Sequence, residues 1–310
     1  MICAYCKKEE KPTKEHIISS SILDLFPECF LTIDSNRGKI YPADPMVKDV
    51  CGVCNNRRLS YIDNYAKNFI NQYFISKYNV DDTLSINFDY TLIQKMLLKY
   101  AYNDMRSKKE NTDFFDDDIL QFLMNESETS PLKKVTVLAG LAVNNSPAPD
   151  FIFGNQKLQW CQSPIFLSNS IVDHINYETG QIHLREPREI ENFEFLALSY
   201  IFRFNSVQFI IVCWDKEIPD EILKRNNALL ELQYPYTMLS DINTANLSRC
   251  TSETTYHLFN VIDVTWGQSM FDEISTMRNR ANPSAKVYFE NITREWEIEE
   301  RKLAEEHKRK

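Results

Sequence analysis

The sequence predicts an α+β chain: a small metal-stapled unit, a helical stretch, and a larger mixed, strand-rich α+β domain. Three observations carry this expectation. Two Cys-x-x-Cys pairs, Cys3/Cys6 and Cys51/Cys54, bracket the N-terminal segment. Apolar residues then recur at three and four positions through residues 59–78 and 91–106, the period of helices, with a further helix at 114–126. From about Leu132, β-branched and aromatic runs separated by proline and asparagine take over, as strands do. The expected boundaries are 1–66 for the stapled unit, 67–130 for a helical connector, 131–290 for the α+β domain and 291–310 for a charged C-terminal helix.

Composition narrows the class. Of 310 residues, 43% are apolar and 12% aromatic, which suffices for a core and excludes wholesale disorder. No run of about 18 apolar residues exists, so no spanning helix and no membrane partner are expected. No apolar secretory segment precedes Cys3, and the expectation is a soluble, cytoplasmic protein. The net charge is −9, from 35 basic and 44 acidic residues. Residues 1–66 hold nine of each, so the whole imbalance lies in the remainder. A body of that sign repels a polyanion at long range, which argues against a nonspecific, charge-driven nucleic-acid coat.

In a reducing compartment two Cys-x-x-Cys pairs read as a metal site and not as disulfides. Two intervening residues allow a tight turn that offers both sulfurs to one tetrahedral ion at about 2.3 Å. Structural Zn²⁺ on Cys3, Cys6, Cys51 and Cys54 is therefore expected. Residues 7–50 make a longer insert than a zinc ribbon has, so the insert must carry structure of its own. Cys29, Cys161, Cys213 and Cys250 lie in or near apolar stretches and read as core.

The words Cys3-Ala4-Tyr5-Cys6, Lys14-Glu15-His16-Ile17-Ile18 and Cys51-Gly52-Val53-Cys54-Asn55-Asn56-Arg57-Arg58 come in that order. They resemble the HNH (ββα-metal, or His-Me finger) endonuclease family, in its zinc-stapled branch, and residues 59–63 look like its continuation. The resemblance covers about residues 1–66. It implies a ββα-metal finger, an HNH-type endodeoxyribonuclease acting on DNA, a structural zinc and a catalytic Mg²⁺ or Mn²⁺. His16 matches the general base, Glu15 the first ligand of the catalytic ion and Asn55 the second. Arg58 matches a phosphate-binding residue. Arg57, Lys14 and Lys48 are either further phosphate contacts or solvated surface charges. Glu15 stands where the family usually has Asp, and Ser19 where a proline often follows. Asn36 is the nearest counterpart of the asparagine that braces the family's loop.

The residue types suit that chemistry. Phosphodiester hydrolysis needs a base that works near neutral pH and a Lewis acid on the phosphate. Histidine, with an ordinary pKa of about 6.5, suits the first task. Magnesium takes oxygen ligands and keeps several waters, so one carboxylate and one amide oxygen suffice for the second. Adjacent strand residues point to opposite faces, so Glu15 and His16 need a bend or a strand end to act together. The alternative is a catalytically inactive treble-clef zinc finger that binds nucleic acid or protein, for which the cysteines alone suffice. By analogy with bacterial proteins of this type, which are often found in antiphage defence or mobile elements, the nuclease would serve as an antiphage-defence effector. Its acidic body would then recognise substrate or a protein or ligand activator.

Beyond the resemblance, periodicity assigns the elements in turn. Residues 59–78 form a helix with Leu59, Ile62, Ala66, Phe69, Ile70, Tyr73 and Phe74 on one face. Leu84, Ile86 and Phe88 alternate as a short strand within 79–89. Helices follow at 91–106, with Leu92, Met96, Leu97, Tyr100 and Met105 inward, and at 114–126; the polar, proline-ended segment 126–131 marks a boundary. Strands are expected at 135–141, 151–153 and 165–167. Residues 170–185 read as a hairpin turning at Gly180, with Asp173 opposite Arg185. Residues 195–204 and 207–214 read as two buried strands joined at Asn205-Ser206, the first also open to a core helix. A helix at 218–231, a strand at 254–265 and helices at 268–280 and 292–310 complete the chain. His174, His183 and His257 have no partners at metal spacing and read as surface or sheet histidines. Six glycines and no phosphate-cradling loop argue against a P-loop nucleotide fold.

Overall fold

The computed structural model describes residues 1–27, 29, 32–34, 39–41, 44–79, 81–143, 157–162, 166–167, 172–176, 181–184, 191–231 and 236–250. Strand β1 (Pro12–His16) pairs antiparallel with β4 (Met46–Cys51). Between them lie α1 (Ser20–Leu23) and a small hairpin of β2 (Thr32–Asp34) and β3 (Lys39–Tyr41). A single π-helical turn, Cys54–Arg58, leads from the second cysteine pair into α2 (Ser60–Tyr73). Helix α2 stops short of the expected residue 78. The carbonyls that would continue it are taken elsewhere: Asn205 Nδ2 donates to Phe74 O at 2.6 Å and Ile75 O at 3.0 Å, and Ser206 Oγ donates to Phe74 O at 3.0 Å. The boundary expected at residue 66 falls inside α2.

Strand β5 (Leu84–Asn87) leads into α3 (Tyr90–Lys108), the central element. Asp89 caps α3, its carboxylate accepting from Leu92 N at 2.9 Å, and Lys109 ends it in a left-handed conformation, φ 60°. Tyr90 to Met105 is buried throughout except Leu92. Four of the five residues expected to point inward therefore do so, and Leu92 is only half-buried. The apolar stripe understated the burial because Gln94, Lys95, Lys99, Asn103 and Asp104 are also inside. Each has polar partners, which makes its burial tolerable. Lys95 Nζ donates to Asn125 O and Glu128 O at 2.7 and 2.8 Å, and Asp104 accepts from Trp160 Nε1 at 3.0 Å and Tyr200 OH at 2.9 Å. Helix α4 (Asp117–Met124) starts at Asp116, whose side chain accepts from Asp118 N and Ile119 N.

Five antiparallel strands form the main sheet, in the order β14 (Thr237–Met238), β6 (Val135–Leu141), β13 (Val207–Trp214), β12 (Leu196–Phe204) and β7 (Leu158–Gln162). Residues 196–204 are thus a strand and not a helix. A two-residue turn joins β12 to β13, with Asn205 at φ 52°, a conformation asparagine tolerates. Side chains alternate across the sheet. Val207, Phe209, Ile211 and Cys213 join the core shared with α2 and α3; Ile210, Val212 and Trp214 pack with Leu223 and Leu230 of α5 (Asp220–Glu231). The first of these cores runs without a break from Cys3 and Ile22 through α2, α3 and α4 to the sheet.

Short pairings complete the described fold. Strand β15 (Thr244–Leu247) pairs with β5, and β8 (Phe166–Leu167) with β11 (Glu191–Asn192). The hairpin expected at 170–185 contains β9 (Val172–Asn176) and β10 (Gln181–Leu184), with His183 opposite His174. A bulge then sets Leu184 against Val172, so the ladder does not follow the register that would oppose Asp173 and Arg185. Arg185, Asn36, His257 and the elements expected at 151–153, 254–265, 268–280 and 292–310 lie outside the described residues. Cys213 and Cys250 are core, as expected, but Cys29 and Cys161 are only partly buried; Cys161 sits on β7, the last strand of the sheet among the described residues. Among the described residues no helix is long and apolar enough to cross a membrane.

Gly140 on β6 offers a stability test. A Cβ there would meet Cys250 Cβ at 2.5 Å and its Sγ at 2.9 Å. The opposing segment is held in place by Leu141 N donating to Ser248 O and Cys250 N donating to Leu141 O, both at 2.8 Å. Gly140→Ala is expected to cost about 1–3 kcal/mol, read as a lower urea midpoint at unchanged slope. A wild-type midpoint would mean that the segment yields freely.

Candidate metal centre and the adjoining Glu-His strand

The first cysteine pair is shaped by backbone bonds. Cys3 N donates to Lys8 O at 2.9 Å and Lys7 N to Cys3 O at 3.0 Å, with Lys7 at φ 57°. Ala4 N reaches across to Asp49 O on β4 at 2.8 Å, which brings the two pairs together. All four Sγ atoms of Cys3, Cys6, Cys51 and Cys54 lie within 4.8 Å of one another, and those of Cys6 and Cys51 are 3.9 Å apart. A tetrahedral ion with bonds of about 2.3 Å needs sulfurs about 3.8 Å apart, so the cluster fits zinc. Backbone N–H groups support it: Cys51 N donates to Cys3 Sγ at 3.3 Å and Cys54 N to Cys51 Sγ at 3.5 Å. Burial pushes the Cys3 thiol up, but the amides of Cys6, Cys51 and Tyr5 outweigh it and bring the thiol down to about 7. Cys54 is pushed well above the ordinary thiol value by burial and by the neighbouring sulfurs. Cys54 Sγ also lies 3.8 Å from Met124 Sδ, which seats α4 on the staple.

Glu15 and His16 close β1 just past an irregularity. Thr13 faces Val50 but Glu15 faces Val47, so the register shifts immediately before the pair. Glu15 points inward and is 4% exposed. Its carboxylate is paired with Lys99 Nζ at 2.8 Å, and that fully buried ammonium also meets both Asp63 oxygens at 2.7 Å. Burial alone would pull the Lys99 pKa down, but Asp63 and Glu15 outweigh it and hold it above 10.5. The sign follows from a raised base: its contribution to stability is complete at neutral pH and is lost only as alkali titrates it. Lys99→Met leaves the buried Glu15 carboxylate and the partly buried Asp63 carboxylate together without their cation and is expected to cost about 3 kcal/mol. Chemical denaturation checks this, and adding Glu15→Gln should recover part of the loss.

His16 faces the accessible side, its side chain 29% exposed, with Nε2 at 3.6 Å from Asp44 Oδ2, longer than a hydrogen bond. Asn55 docks on the same strand. Its Nδ2 donates to Lys14 O at 2.8 Å and Thr13 Oγ1 at 3.1 Å, and no described residue donates to its Oδ1. Asn55 is thereby brought beside the strand end that carries Glu15 and His16, while Glu15 is turned away into the interior. Arg57, Arg58, Lys14 and Lys48 are exposed, and Arg58 rests one guanidinium nitrogen on Met124 Sδ at 3.9 Å.

Sequence reasoning missed Asp44 beside His16, and it missed the polar stripe of α3. Lys99, Asn103 and Arg106 follow at spacings of four and three, which places them on one helix face. Arg106 pairs with Asp49 and stacks against Tyr5 and Tyr102, 5.1 and 4.4 Å from the ring centroids. That spacing was the available signal, but in sequence it is indistinguishable from a solvated face. No family model, curated protein or solved structure matches this chain.

Proposed function

We propose that this chain is a metal-dependent endonuclease of the HNH type that hydrolyses DNA phosphodiester bonds. The observation that carries the reading is Asn55, which directly follows a zinc-type cysteine and is hydrogen-bonded to Lys14 O beside Glu15 and His16. A purely structural staple requires the four sulfurs and has no need of an amide fixed against a Glu-His strand end. In the proposed reaction His16 takes the proton of the attacking water. Asn55 suits an oxygen ligand of Mg²⁺ or Mn²⁺, because its nitrogen is engaged on β1 and its oxygen is not. Glu15 is the other proposed ligand and fits less directly, since its carboxylate would have to be shared with the Lys99 ammonium. Such an ion, when bound, supplies charge stabilisation at the phosphate and leaving oxygen. Arg58, Arg57, Lys14 and Lys48 are exposed cations suited to phosphate. As a biological setting we propose an antiphage-defence effector whose acidic body receives a protein or ligand signal.

A second reading has its own support. A carboxylate already neutralised in the interior needs no metal, so the Glu15–Lys99 pair favours an inactive zinc module that binds nucleic acid or protein. The deciding experiment incubates the purified full chain with supercoiled plasmid and with single-stranded DNA in Mg²⁺, Mn²⁺ or EDTA. Cleavage in either metal and none in EDTA supports the endonuclease. Intact DNA under every condition supports the module.

A further inference from the structure

We propose that Asn103, on helix α3, is the positioning residue that sets where His16 stands; the inference rests on the endonuclease reading of that site. Asn103 is fully buried and lies 87 residues from His16 in sequence. Its amide orientation follows from its neighbours. Tyr5 OH donates to Oδ1 at 2.8 Å and Arg106 to the same atom at 2.5 Å. A guanidinium can only donate, so the oxygen must face it and the nitrogen must face the other way. There Nδ2 donates to His16 O at 3.0 Å and approaches Glu15 Oε1 at 3.5 Å.

This contact falls where the ladder gives out. His16 is the last residue of β1, paired with Met46 after the register shift; Ile17 N still donates to Pro45 O at 3.0 Å, but Pro45 has no N–H to return the bond, so the ladder ends there. Holding the His16 carbonyl fixes the peptide that leaves the strand, and with it the direction of the His16 side chain. Asn103 can act as a fixed point because its surroundings are themselves tied down. Arg106 is paired with Asp49, Tyr102 OH donates to Ala4 O at 3.1 Å, and Lys99 one turn earlier holds Glu15 and Asp63. The next residue, Asp104, binds Trp160 of β7 and Tyr200 of β12. His16 is therefore referenced to the main sheet through α3 as well as to the cysteine cluster. A base displaced by about 1 Å loses on the order of 10²-fold in rate, so a brace of this kind matters to turnover.

The test is Asn103→Asp in the full chain. The variant keeps the size and an oxygen for Tyr5 and Arg106, but it replaces the donor with an oxygen that repels His16 O and Glu15. Zinc content and circular dichroism should stay at wild type, KM for plasmid should stay within about twofold, and kcat should fall on the order of 10²-fold. In a His16→Ala background the same change should cost nothing further, whereas a general loosening would subtract again. The imidazole NMR resonance of His16, assigned by its loss in His16→Ala, should shift. Should the buried acid unfold the chain, Asn103→Ser, uncharged and too short to reach His16 O, carries the same expectations. Wild-type kcat in either folded variant, or an unmoved His16 resonance, overturns the proposal. A wild-type chain that cuts no DNA defeats the endonuclease reading alone, and the resonance still decides the positioning.

Discussion

Replacing Cys51 with serine is expected to abolish tight zinc binding and to unfold the N-terminal unit while the main sheet survives. Cys51 ends β4, its Sγ lies 3.9 Å from that of Cys6, and its backbone N–H supports Cys3 Sγ. A hydroxyl at this position leaves three sulfurs, and the binding free energy that goes with a four-sulfur site, of order 10 kcal/mol, no longer supports the fold. The damage should be local. Residues 12–16 and 46–51 form only a two-stranded pair, whereas the sheet has five strands with a core on each face. Metal analysis should find about one zinc per wild-type chain and little in the variant. Limited proteolysis should open residues 1–58 and spare β12 and β13. Cys213→Ser, which changes a fully buried thiol far from the cluster in sequence, should keep its zinc. A zinc-free protein that resists protease throughout residues 1–66 would sink the structural role of the cluster.

The parts of this fold that were legible in sequence are those built on local period or local chemistry. Strand β6 has the expected bounds, α3 follows from its apolar period, and β12 and β13 follow from apolar runs joined at Asn205-Ser206. The cysteine cluster was legible because four thiols, set in two tight knuckles among polar residues, have little physical use except to hold a metal. Strands β7, β14 and β15 were not, because their pairing is decided by partners distant in sequence; Thr244, for example, pairs with Asn87 on β5. The buried polar stripe of α3 was invisible for a different reason. Lys99 inside a protein is unfavourable until Asp63 and Glu15 surround it, and no local pattern announces that partnership. The same contact explains why the Glu-His word alone could not say which way Glu15 points. Strand alternation required the two residues to diverge, and the interior took the carboxylate.

His16→Ala is expected to separate chemistry from folding. His16 contributes no sulfur to the cluster and its side chain is only partly buried, so zinc content, thermal midpoint and DNA affinity should stay near wild type. Cleavage should fall by at least the roughly 10²–10⁴-fold that accompanies loss of a general base. Asn55→Ala should behave differently. It removes the proposed oxygen ligand and also the bonds to Lys14 O and Thr13 Oγ1, so its cleavage defect should be accompanied by a small loss of stability. Raising Mg²⁺ or Mn²⁺ should restore part of the Asn55→Ala activity, because weaker binding yields to concentration, and should restore none of the His16→Ala activity. Glu15→Gln should fall between them, since it alters a proposed ligand and also leaves Lys99 with Asp63 alone. Plasmid nicking across a metal titration reads all three. If His16→Ala cuts as well as wild type, this strand end is not where the chemistry happens, and the cysteine cluster with its buried Glu15–Lys99 pair is better understood as a binding module.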